Sequence, residues 1–325
     1  MAAEITIRTN GKAEFAHTGS KNEIWHKLGV ELTPGASIET WIIESGLDWK
    51  INKSTPQFCT VGGMKDFSGK QILSRSDTYE PLSIVSDDYK VVQPGQVLEF
   101  FRDLTTLHGM ELSCAGSLFG GKKFWATASI GSQFEAAAGD LVNGYLLLVT
   151  SADGTMATSA KLSSIRTICN NTLTAALADN QKIYKTSHRK EWDPEAVKLD
   201  MGLVSKSWVE FSKNIKRLAE IPVTDNFVKT YFQKKFYTPD VLVEDQSPAR
   251  IKEVSTLIDL YNSGAGAEYS KGSLWGILNA VTDSYSNGTK PPKDLGKQFF
   301  NSNFGRADSI KSDVFEDLMK FAMAA

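Results

Sequence analysis

Residues 94–130 have the sequence PGQVLEFFRDLTTLHGMELSCAGSLFGGKKFWATASI, and this stretch decides the fold. Pro94 is suited to the first turn of a helix, because proline has no backbone N–H to satisfy there. Apolar side chains then recur at the helical period from Val97 to Leu107. Gly109 follows the last of them and predicts the end of the helix.

A β-hairpin is predicted directly after this helix. Two strands, residues 111–119 and 122–130, flank the pair Gly120-Gly121, which is a hairpin signal. In that register Trp125 lies opposite Gly116, and an aromatic ring that covers a strand glycine stabilises the pair.

A third strand and a second helix complete the pattern. Residues 145–150 form a continuous apolar run, typical of a central strand that is buried on both faces. Asp153-Gly154 turns the chain, and residues 156–161 extend the sheet. Ser164 is then placed to cap a second helix, whose buried stripe runs from Ile165 to Leu177. The order helix, hairpin, strand, helix predicts an α+β fold in which a small antiparallel sheet packs on helices.

The pattern extends in both directions along the chain. Upstream, residues 38–45 predict a short helix, which Gly46 ends. Residues 49–61 and 70–92 predict strands joined by turns, one of them at Gly62-Gly63. Beyond Lys182 the chain becomes polar and basic, which predicts a boundary between an α+β core domain, residues 1–190, and a mostly helical domain, residues 191–325. The helices predicted in the second domain are 195–221, 225–236, 249–262, 273–286 and 312–322.

Composition limits the classes of protein that fit. The chain has 325 residues and a formal net charge of −2. The net charge therefore does not indicate nucleic-acid binding, and any nucleic-acid site must be a local basic patch. Its three cysteines are far apart, which is typical of a reducing compartment. No run is apolar over the roughly 18 residues that a membrane span needs, and the first residues do not resemble a signal peptide. We therefore expect a cytoplasmic protein that does not contact a membrane.

Enzyme signatures are missing from the sequence. No pair of cysteines or histidines has the spacing of a zinc site. The run Gly120-Gly121-Lys122-Lys123 lacks the Ser or Thr of a phosphate loop and lies in a hairpin. No nucleophile elbow and no dinucleotide fingerprint occur. We predict no catalytic residue, no metal and no cofactor.

The start of the second predicted helix carries the first candidate binding site. A cation in the first turn, Arg166, opposes the helix dipole by about 0.3–1 kcal/mol. With Lys161 and the free backbone amides of that turn it would form a phosphate site. The alternative is that Arg166 pairs with a carboxylate such as Asp153. Asn170 follows at four-residue spacing and shares the same face.

Two further basic clusters are candidates for nucleic-acid contacts. At the hairpin tip, Lys122 and Lys123 lie near Phe119 and Trp125, and basic residues among aromatics can hold a single strand. The alternative is a charged turn above core aromatics, which is the favoured interpretation for Trp125. Arg189 and Lys190 belong to a third basic run, which is either a solvated linker or a track for a nucleic-acid backbone.

Several stretches resemble a family known as domain of unknown function 932, whose members are phage- or plasmid-like proteins. They are residues 25–29, 89–94, 116–121, 165–173 and 271–282. The most specific of them is the pattern Arg-x-x-Cys-x-Asn-Thr-Leu, which runs here from Arg166 to Leu173. The resemblance implies an origin in a mobile element but no biochemical activity.

A second resemblance is architectural. The order helix, hairpin, strand, helix is similar to the core of single-strand annealing proteins, including phage recombinases of the RecT and Red-beta kind. That similarity implies a non-enzymatic protein that assembles into rings or filaments and holds single-stranded DNA in a basic groove.

The sequence therefore predicts a single-stranded DNA-binding and annealing protein of phage or plasmid origin, active in recombination or replication. Its expected partners are single-stranded DNA, further copies of itself, and replication or recombination proteins. One alternative is a metal-dependent hydrolase or nucleotide-modifying enzyme built from His26, Asp87, Asp88 and Asp153. The other is a protein-binding module, such as a counter-defence factor.

Overall fold

The structure is a computed structural model that describes residues 5–19, 29–166, 172–174, 184–195, 202–287 and 295–324. The N-terminal part combines strands with two helices. Its elements are β1 (Phe15–His17), β2 (Val30–Glu31), α1 (Ile38–Glu44), β3 (Ile51–Ser54), β4 (Gln57–Thr60), β5 (Gly63–Asp66), β6 (Lys70–Arg75), β7 (Pro81–Ser86), α2 (Pro94–His108), β8 (Glu111–Leu118), β9 (Lys123–Glu135), β10 (Leu141–Ser151), β11 (Thr158–Arg166), β12 (Thr172–Thr174) and β13 (Tyr184–Thr186).

The C-terminal part is helical. Its elements are α3 (Gly202–Glu220), α4 (Asp225–Phe236), a 3-10 turn (Val243–Asp245), α5 (Pro248–Ser263), α6 (Ala267–Ser270), α7 (Leu274–Ser286), α8 (Leu295–Phe304) and α9 (Arg306–Ala324). The α+β class and the mostly helical C-terminal region are confirmed. Side chains at three N-caps, Thr224, Ser247 and Ser273, accept hydrogen bonds from the first turns of α4, α5 and α7.

An eight-stranded sheet forms the centre of the molecule, in the order β12-β11-β10-β9-β8-β1-β2, with β13 also pairing with β11. Neighbouring strands are antiparallel except for β1 and β2. A three-stranded sheet, β3-β6-β7, and a separate two-stranded hairpin, β4-β5, lie outside it. The predicted hairpin is β8–β9, and Gly116 does lie opposite Trp125.

Both faces of the large sheet are covered. On one face Phe124, Leu146 and Leu148 pack in a cluster that includes Trp41 of α1 and Phe101 of α2. Phe134, Val142 and Leu162 join a cluster with Trp208 and Phe211 of the helical region. On the other face of the sheet, Trp125, Leu147 and Val149 pack near Phe304. The strand predicted over residues 145–150 is therefore buried on both faces, and the two predicted domains share a hydrophobic cluster.

The predicted second helix is wrong at its start. Ser164 does not cap a helix, because residues up to Arg166 continue β11, and Thr172–Thr174 form β12. The physical reason is the edge of β10: from Val142 to Val149 it pairs residue by residue with β11, which satisfies backbone groups that an open edge would expose. The rest of that predicted helix, residues 167–171 and 175–179, lies outside the described residues.

A buried ion pair joins the small sheet to the large one. The guanidinium of Arg75 in β6 lies 2.6 Å from the Glu14 carboxylate, and both side chains are almost fully buried. Ser117 of β8 donates to the same carboxylate, and Arg75 lies 4.2 Å from the centre of the Trp49 ring. Because a buried charge is stable only when it is paired and hydrogen-bonded, this network fixes where the three-stranded sheet sits.

Candidate nucleic-acid interface

The ammonium group of Lys123, at the start of β9, forms its contacts within the protein. Its ammonium lies 3.0 Å from an Asp153 carboxylate oxygen and donates to the Thr155 hydroxyl at 2.5 Å. The rings of Phe119 and Phe300 lie 5.7 and 5.0 Å from it. Burial acts to raise the pKa of Asp153, but hydrogen bonds from Thr155 and Lys123 outweigh it and lower that pKa. The charge of Lys123 is therefore neutralised, and it does not offer a cation to a phosphate.

Lys161, in the middle of β11, is also enclosed. It is 3% exposed, forms an ion pair with Asp308 of α9 at 3.1 Å, and lies 4.4 Å from the centre of the Phe304 ring. Burial lowers its pKa, and Asp308 offsets part of that effect. Its partner comes from the C-terminal helix, so the phosphate site that the sequence predicted around Lys161 is replaced by an internal contact.

The aromatic residues near the β8–β9 turn differ in exposure. Trp125 is 2% exposed and packs against Phe15, with 5.7 Å between ring centres, so it is a core residue and cannot stack on a base. Phe119 is partly buried, and its ring contacts the Phe300 ring at 6.4 Å. The alternative weighed for Trp125, a core aromatic beneath a charged turn, is the one that the packing supports.

Arg166 lies at the opposite end of the sheet from these residues. It is the last residue of β11 and pairs with Val142, whereas Lys123 pairs with Ser151 at the other end of β10. Thr158 and Arg166 are eight positions apart in β11, which is about 26 Å at strand rise. Arg166 is thus not a first-turn helix residue and lies far from Asp153. Asn170 lies outside the described residues.

The remaining predicted cations are exposed and lie at the end of the sheet where β9 and β11 begin. Lys122 forms part of the β8–β9 turn, and its carbonyl accepts a hydrogen bond from Ala152 at 2.8 Å. Arg189 and Lys190 follow β13, whose last residue, Thr186, pairs with Thr158 at the start of β11. We call Lys122, Arg189 and Lys190 the sheet-end cations.

The stacked rings of Tyr89 and His188 connect the β8–β9 turn, which carries Lys122, with the segment that carries Arg189 and Lys190. The Tyr89 hydroxyl donates to the Ser151 carbonyl at 2.9 Å, next to the contact that Ala152 makes with Lys122. The Tyr89 ring stacks on His188 with 4.5 Å between centres, and Arg189 follows in the chain. The sheet-end cations therefore share one surface.

The hairpin β4–β5 with Phe67, residues 57–67, is an exposed arm. Phe58 is 45% exposed and Phe67 is 52% exposed. Phe58 lies opposite Lys65 in the register, and Phe67 is two residues after Lys65, so all three side chains lie on one face of the arm. The two rings are 6.3 Å apart at 77°. This face carries two accessible rings in edge-to-face contact and the side chain of Lys65.

The arm is held by its own hydrogen bonds. The backbone N–H of Phe67 donates to Pro56 at 2.8 Å, and the Thr60 hydroxyl donates to the Gly63 carbonyl at 2.8 Å. On the other face, Gln57 donates to Asp66 at 2.8 Å. No residue of the arm belongs to a described core cluster. A two-stranded hairpin without such packing is only marginally stable.

The base of the arm lies beside the sheet-end cations. Lys53 of β3 donates to the Tyr89 carbonyl at 2.6 Å, and Gln71 of β6 donates to Asp87 at 3.2 Å. Lys70, where β6 leaves the arm, is exposed and pairs with Ser86 in the ladder. The strands at the base of the arm therefore contact residues 86–89, and Tyr89 in turn stacks on His188, which precedes Arg189.

Carboxylates compensate only part of the positive charge on this surface. Lys90 forms an ion pair with Glu191 at 2.8 Å. The pKa of Asp88 is lowered, first by a hydrogen bond from Ser86 and to a smaller extent by the charges of Arg189 and Lys90. Exposed cations of this surface that form no ion pair with a described residue include Lys65, Lys122 and Lys190.

Features of a metalloenzyme are not found among the described residues. No group of three or more His, Cys, Asp or Glu side chains there could hold a metal ion. Two carboxylates that were candidates for acid–base chemistry have partners: Asp153 forms an ion pair with Lys123, and Asp87 accepts a hydrogen bond from Gln71. The candidate histidine, His26, lies outside the described ranges. None of the described helices has the length and apolar content to cross a membrane.

Sequence reasoning missed the arm although its signal was present. The residues Phe58, Lys65 and Phe67 flank the turn at Gly62-Gly63, the same combination of aromatic, basic and glycine residues that drew attention to the β8–β9 turn. Exposure distinguishes the two, and it depends on packing rather than on local sequence.

The family of the chain follows from one comparison. The family model described as Domain of unknown function (DUF932) matches residues 81–312, which is more than half of the chain, and the chain belongs to that family. The arm precedes the matched residues. No curated protein and no solved structure matches the chain.

Proposed function

We propose that this protein binds single-stranded DNA and anneals complementary strands, as a phage or plasmid protein of recombination or replication that uses no cofactor. The observation that carries the proposal is the exposed face of the arm, which Phe58, Lys65 and Phe67 share. Its further partners in this proposal are other copies of the chain and replication or recombination proteins, in the cytoplasm.

The chemistry of the arm suits a flexible single strand. A base that stacks on an aromatic ring gains about 1–3 kcal/mol whatever its sequence, because every base has a π-face. Lys65 lies on the same face as the two rings and can neutralise a phosphate of the same strand. Two accessible rings and a cation on one face therefore offer contacts for both the bases and the phosphates of a strand.

The sheet-end cations extend the contact. Lys122 and Lys190 form no ion pair in the described structure, so both ammonium groups are available to contact phosphates. The surface that links them to the arm passes Lys70 and the Tyr89–His188 stack. This local patch supports nucleic-acid binding in spite of the net charge of −2.

Annealing follows from the way such a strand would be held. Stacking uses the face of a base, whereas pairing uses its edge. A strand held through stacking and phosphate contacts keeps its pairing edges available to a complementary strand. The proposed activity therefore needs positioning and charge neutralisation but no bond-making step.

The test is a fluorescence anisotropy titration of a labelled, mixed-sequence single-stranded oligonucleotide. The double variant Phe58→Ala, Phe67→Ala is expected to lose at least about 30-fold in affinity, because two stacking contacts are removed. The matched control is Tyr269→Ala, which removes an exposed ring that contacts Gly139 at the opposite end of the sheet and should leave affinity unchanged.

A strand-annealing assay with the same proteins completes the experiment. The wild type and the Tyr269→Ala control should accelerate pairing of complementary oligonucleotides, and the double variant should not. If the folded wild type fails to bind at low salt, or if the double variant binds as well as the control, the proposal is wrong. Equal or tighter binding of an RNA oligonucleotide would contradict the choice of DNA.

A further inference from the structure

A cavity of about 500 Å³ lies between α4 and α9, away from the arm and the sheet-end cations. Its apolar lining is Tyr231, Phe321 and Ala324. The Phe321 ring contacts Phe227 at 5.5 Å and Tyr231 at 6.1 Å, yet Phe321 remains 46% exposed. The cavity therefore presents an open apolar floor.

The rim of this cavity is positively charged. Lys234, Lys235 and Lys320 line it together with one carboxylate, Asp317. Lys235 and Lys320 both pair with Asp317, the latter at 3.3 Å, so two cations share one anion. Lys234 is exposed and forms no ion pair with any described residue. An apolar segment that carries negative charge fits this rim.

The floor of the cavity holds a hydrogen-bond donor without a partner. Tyr231 is 8% exposed, and its hydroxyl makes no hydrogen bond in the described structure. Burial raises the pKa of Tyr231, and the charges of Asp317 and Asp313 add to that effect, so the hydroxyl stays protonated. The hydroxyl oxygen is closed to solvent, so an occupant of the cavity contacts the Tyr231 ring and not its oxygen.

The chain itself carries a segment with this chemistry. We call residues 238–246 the acidic loop. At its apex Val241, Leu242 and Val243 are 39, 65 and 52% exposed. Three carboxylates lie beside them: Asp240, Glu244 and Asp245. The acidic loop is therefore apolar and negative where the cavity is apolar and positive.

A buried glutamine holds the acidic loop in one shape. Gln246 is 4% exposed, and its side-chain amide both accepts from the Thr238 N–H at 2.8 Å and donates to the Thr238 carbonyl at 2.9 Å. It also donates to the Val241 carbonyl at 3.0 Å. A loop fixed in this way loses little conformational freedom when it binds, which favours association.

We propose that the acidic loop of one copy of this protein docks into the cavity between α4 and α9 of a second copy. Leu242 enters the apolar floor, and the carboxylates of the loop meet the lysines of the rim. Within one chain the loop does not fill the cavity, since Leu242 stays exposed in the structure.

The loop begins two residues after the end of α4, whose Lys234 and Lys235 line the cavity, so loop and cavity are neighbours on one chain. Two copies related by a two-fold axis can therefore exchange loops, and each cavity then receives the loop of the other copy. The inference does not depend on nucleic-acid binding, and it can be tested in the absence of DNA.

The test is the mass in solution, measured by size-exclusion chromatography with light scattering over a range of protein concentrations. The wild type should be oligomeric at the upper concentrations. Leu242→Asp and Phe321→Asp should each weaken association at least about 10-fold, because each places a charge against an apolar surface. Val209→Asp, a change at a residue of α3 that is 50% exposed, is the matched control and should assemble as the wild type does.

Mixing the two variants gives the sharper result. Leu242→Asp keeps an intact cavity and Phe321→Asp keeps an intact loop, so an equimolar mixture should form a dimer and nothing larger. A wild type that stays monomeric at every concentration overturns the proposal, and so does a mixture that remains monomeric while both variants are folded. Binding of a different acidic partner by a monomeric wild type would assign the cavity to that partner instead.

A charge exchange covers the case in which Phe321→Asp does not fold. Lys234→Glu with Lys320→Glu should weaken association through the rim alone, without touching the apolar floor. Mixing that variant with Asp240→Lys, Glu244→Lys should restore the dimer, because the pairs of charges are then reversed. Failure of the reversed pair to associate would contradict docking in this orientation.

Discussion

Two hairpins of this protein are built from similar residues and have opposite environments. The arm and the β8–β9 hairpin both turn at a Gly-Gly pair, and each places aromatic and lysine side chains next to the turn. In the arm, β4 and β5 pair only with each other, and Phe58 is 45% exposed. Strands β8 and β9 are flanked by β1 and β10 and covered on both faces, so Trp125 is 2% exposed.

The comparison shows that sheet position decides which aromatic and basic residues are available to a ligand. A ring in a central strand contributes to stability because packing surrounds it, and a lysine there requires a carboxylate, as Lys123 requires Asp153. A ring on a free hairpin contributes little to stability and remains accessible. The arm is therefore the better candidate for binding, although both hairpins have suitable residues.

The largest expected difference between the hairpins is in folding stability. Trp125→Ala should lower the free energy of unfolding by about 3–5 kcal/mol, because it leaves a cavity in the core. Phe58→Ala should change it by less than about 0.5 kcal/mol, since the ring is largely exposed and lies outside the described core clusters. Urea unfolding followed by circular dichroism measures both. A large loss for Phe58→Ala would mean that the arm is part of the folded core.

The two turns offer a smaller contrast of the same kind. Gly63 and Gly121 both have positive φ, 109° and 91°, so alanine is strained at either position. A Cβ at Gly121 would also lie 2.7 Å from the Trp49 ring and 2.9 Å from the Arg75 guanidinium, whereas one at Gly63 meets nothing within 4 Å. Gly121→Ala should cost about 1–3 kcal/mol more than Gly63→Ala, because overpacking adds to the strain.

Thermal melts of the two glycine variants test this expectation. Gly63→Ala is the matched control, since it carries the backbone strain without the contact with Arg75 and Trp49. Equal losses for the two variants would show that strain alone limits both turns and that the Arg75–Glu14 network tolerates a displaced turn.

Features with a local cause could be predicted from the sequence. Helix α2 ends at Gly109, which has a φ of 64°, and α4 and α7 end at the predicted residues Phe236 and Ser286, because periodicity and caps act within a few positions. The β8–β9 register could also be predicted, since turn and strand alternation determine it together.

Features that depend on distant parts of the chain could not be predicted. The ion pair of Lys161 is formed with Asp308, 147 positions away, and no local pattern indicates it. The continuation of β11 through Arg166 depends on the open edge of β10, and helical periodicity in the same residues was misleading. For the candidate site, the residue types were predictable and their exposure was not, as the arm shows.

The smallest expected difference between the hairpins is in the salt dependence of DNA binding. Each phosphate contact in a single strand contributes about 0.7 to the slope of log affinity against log salt concentration. Lys65→Ala should therefore reduce the magnitude of that slope by about 0.7, whereas Lys123→Met should leave it unchanged, because Lys123 is already paired with Asp153.

The measurement is the anisotropy titration repeated over a series of salt concentrations, with circular dichroism to confirm that both variants are folded. A reduced slope for Lys123→Met would mean that its ion pair opens when DNA binds. In that case the β8–β9 hairpin contacts the strand as well, and the distinction between an exposed binding hairpin and a buried structural one no longer holds for their lysines.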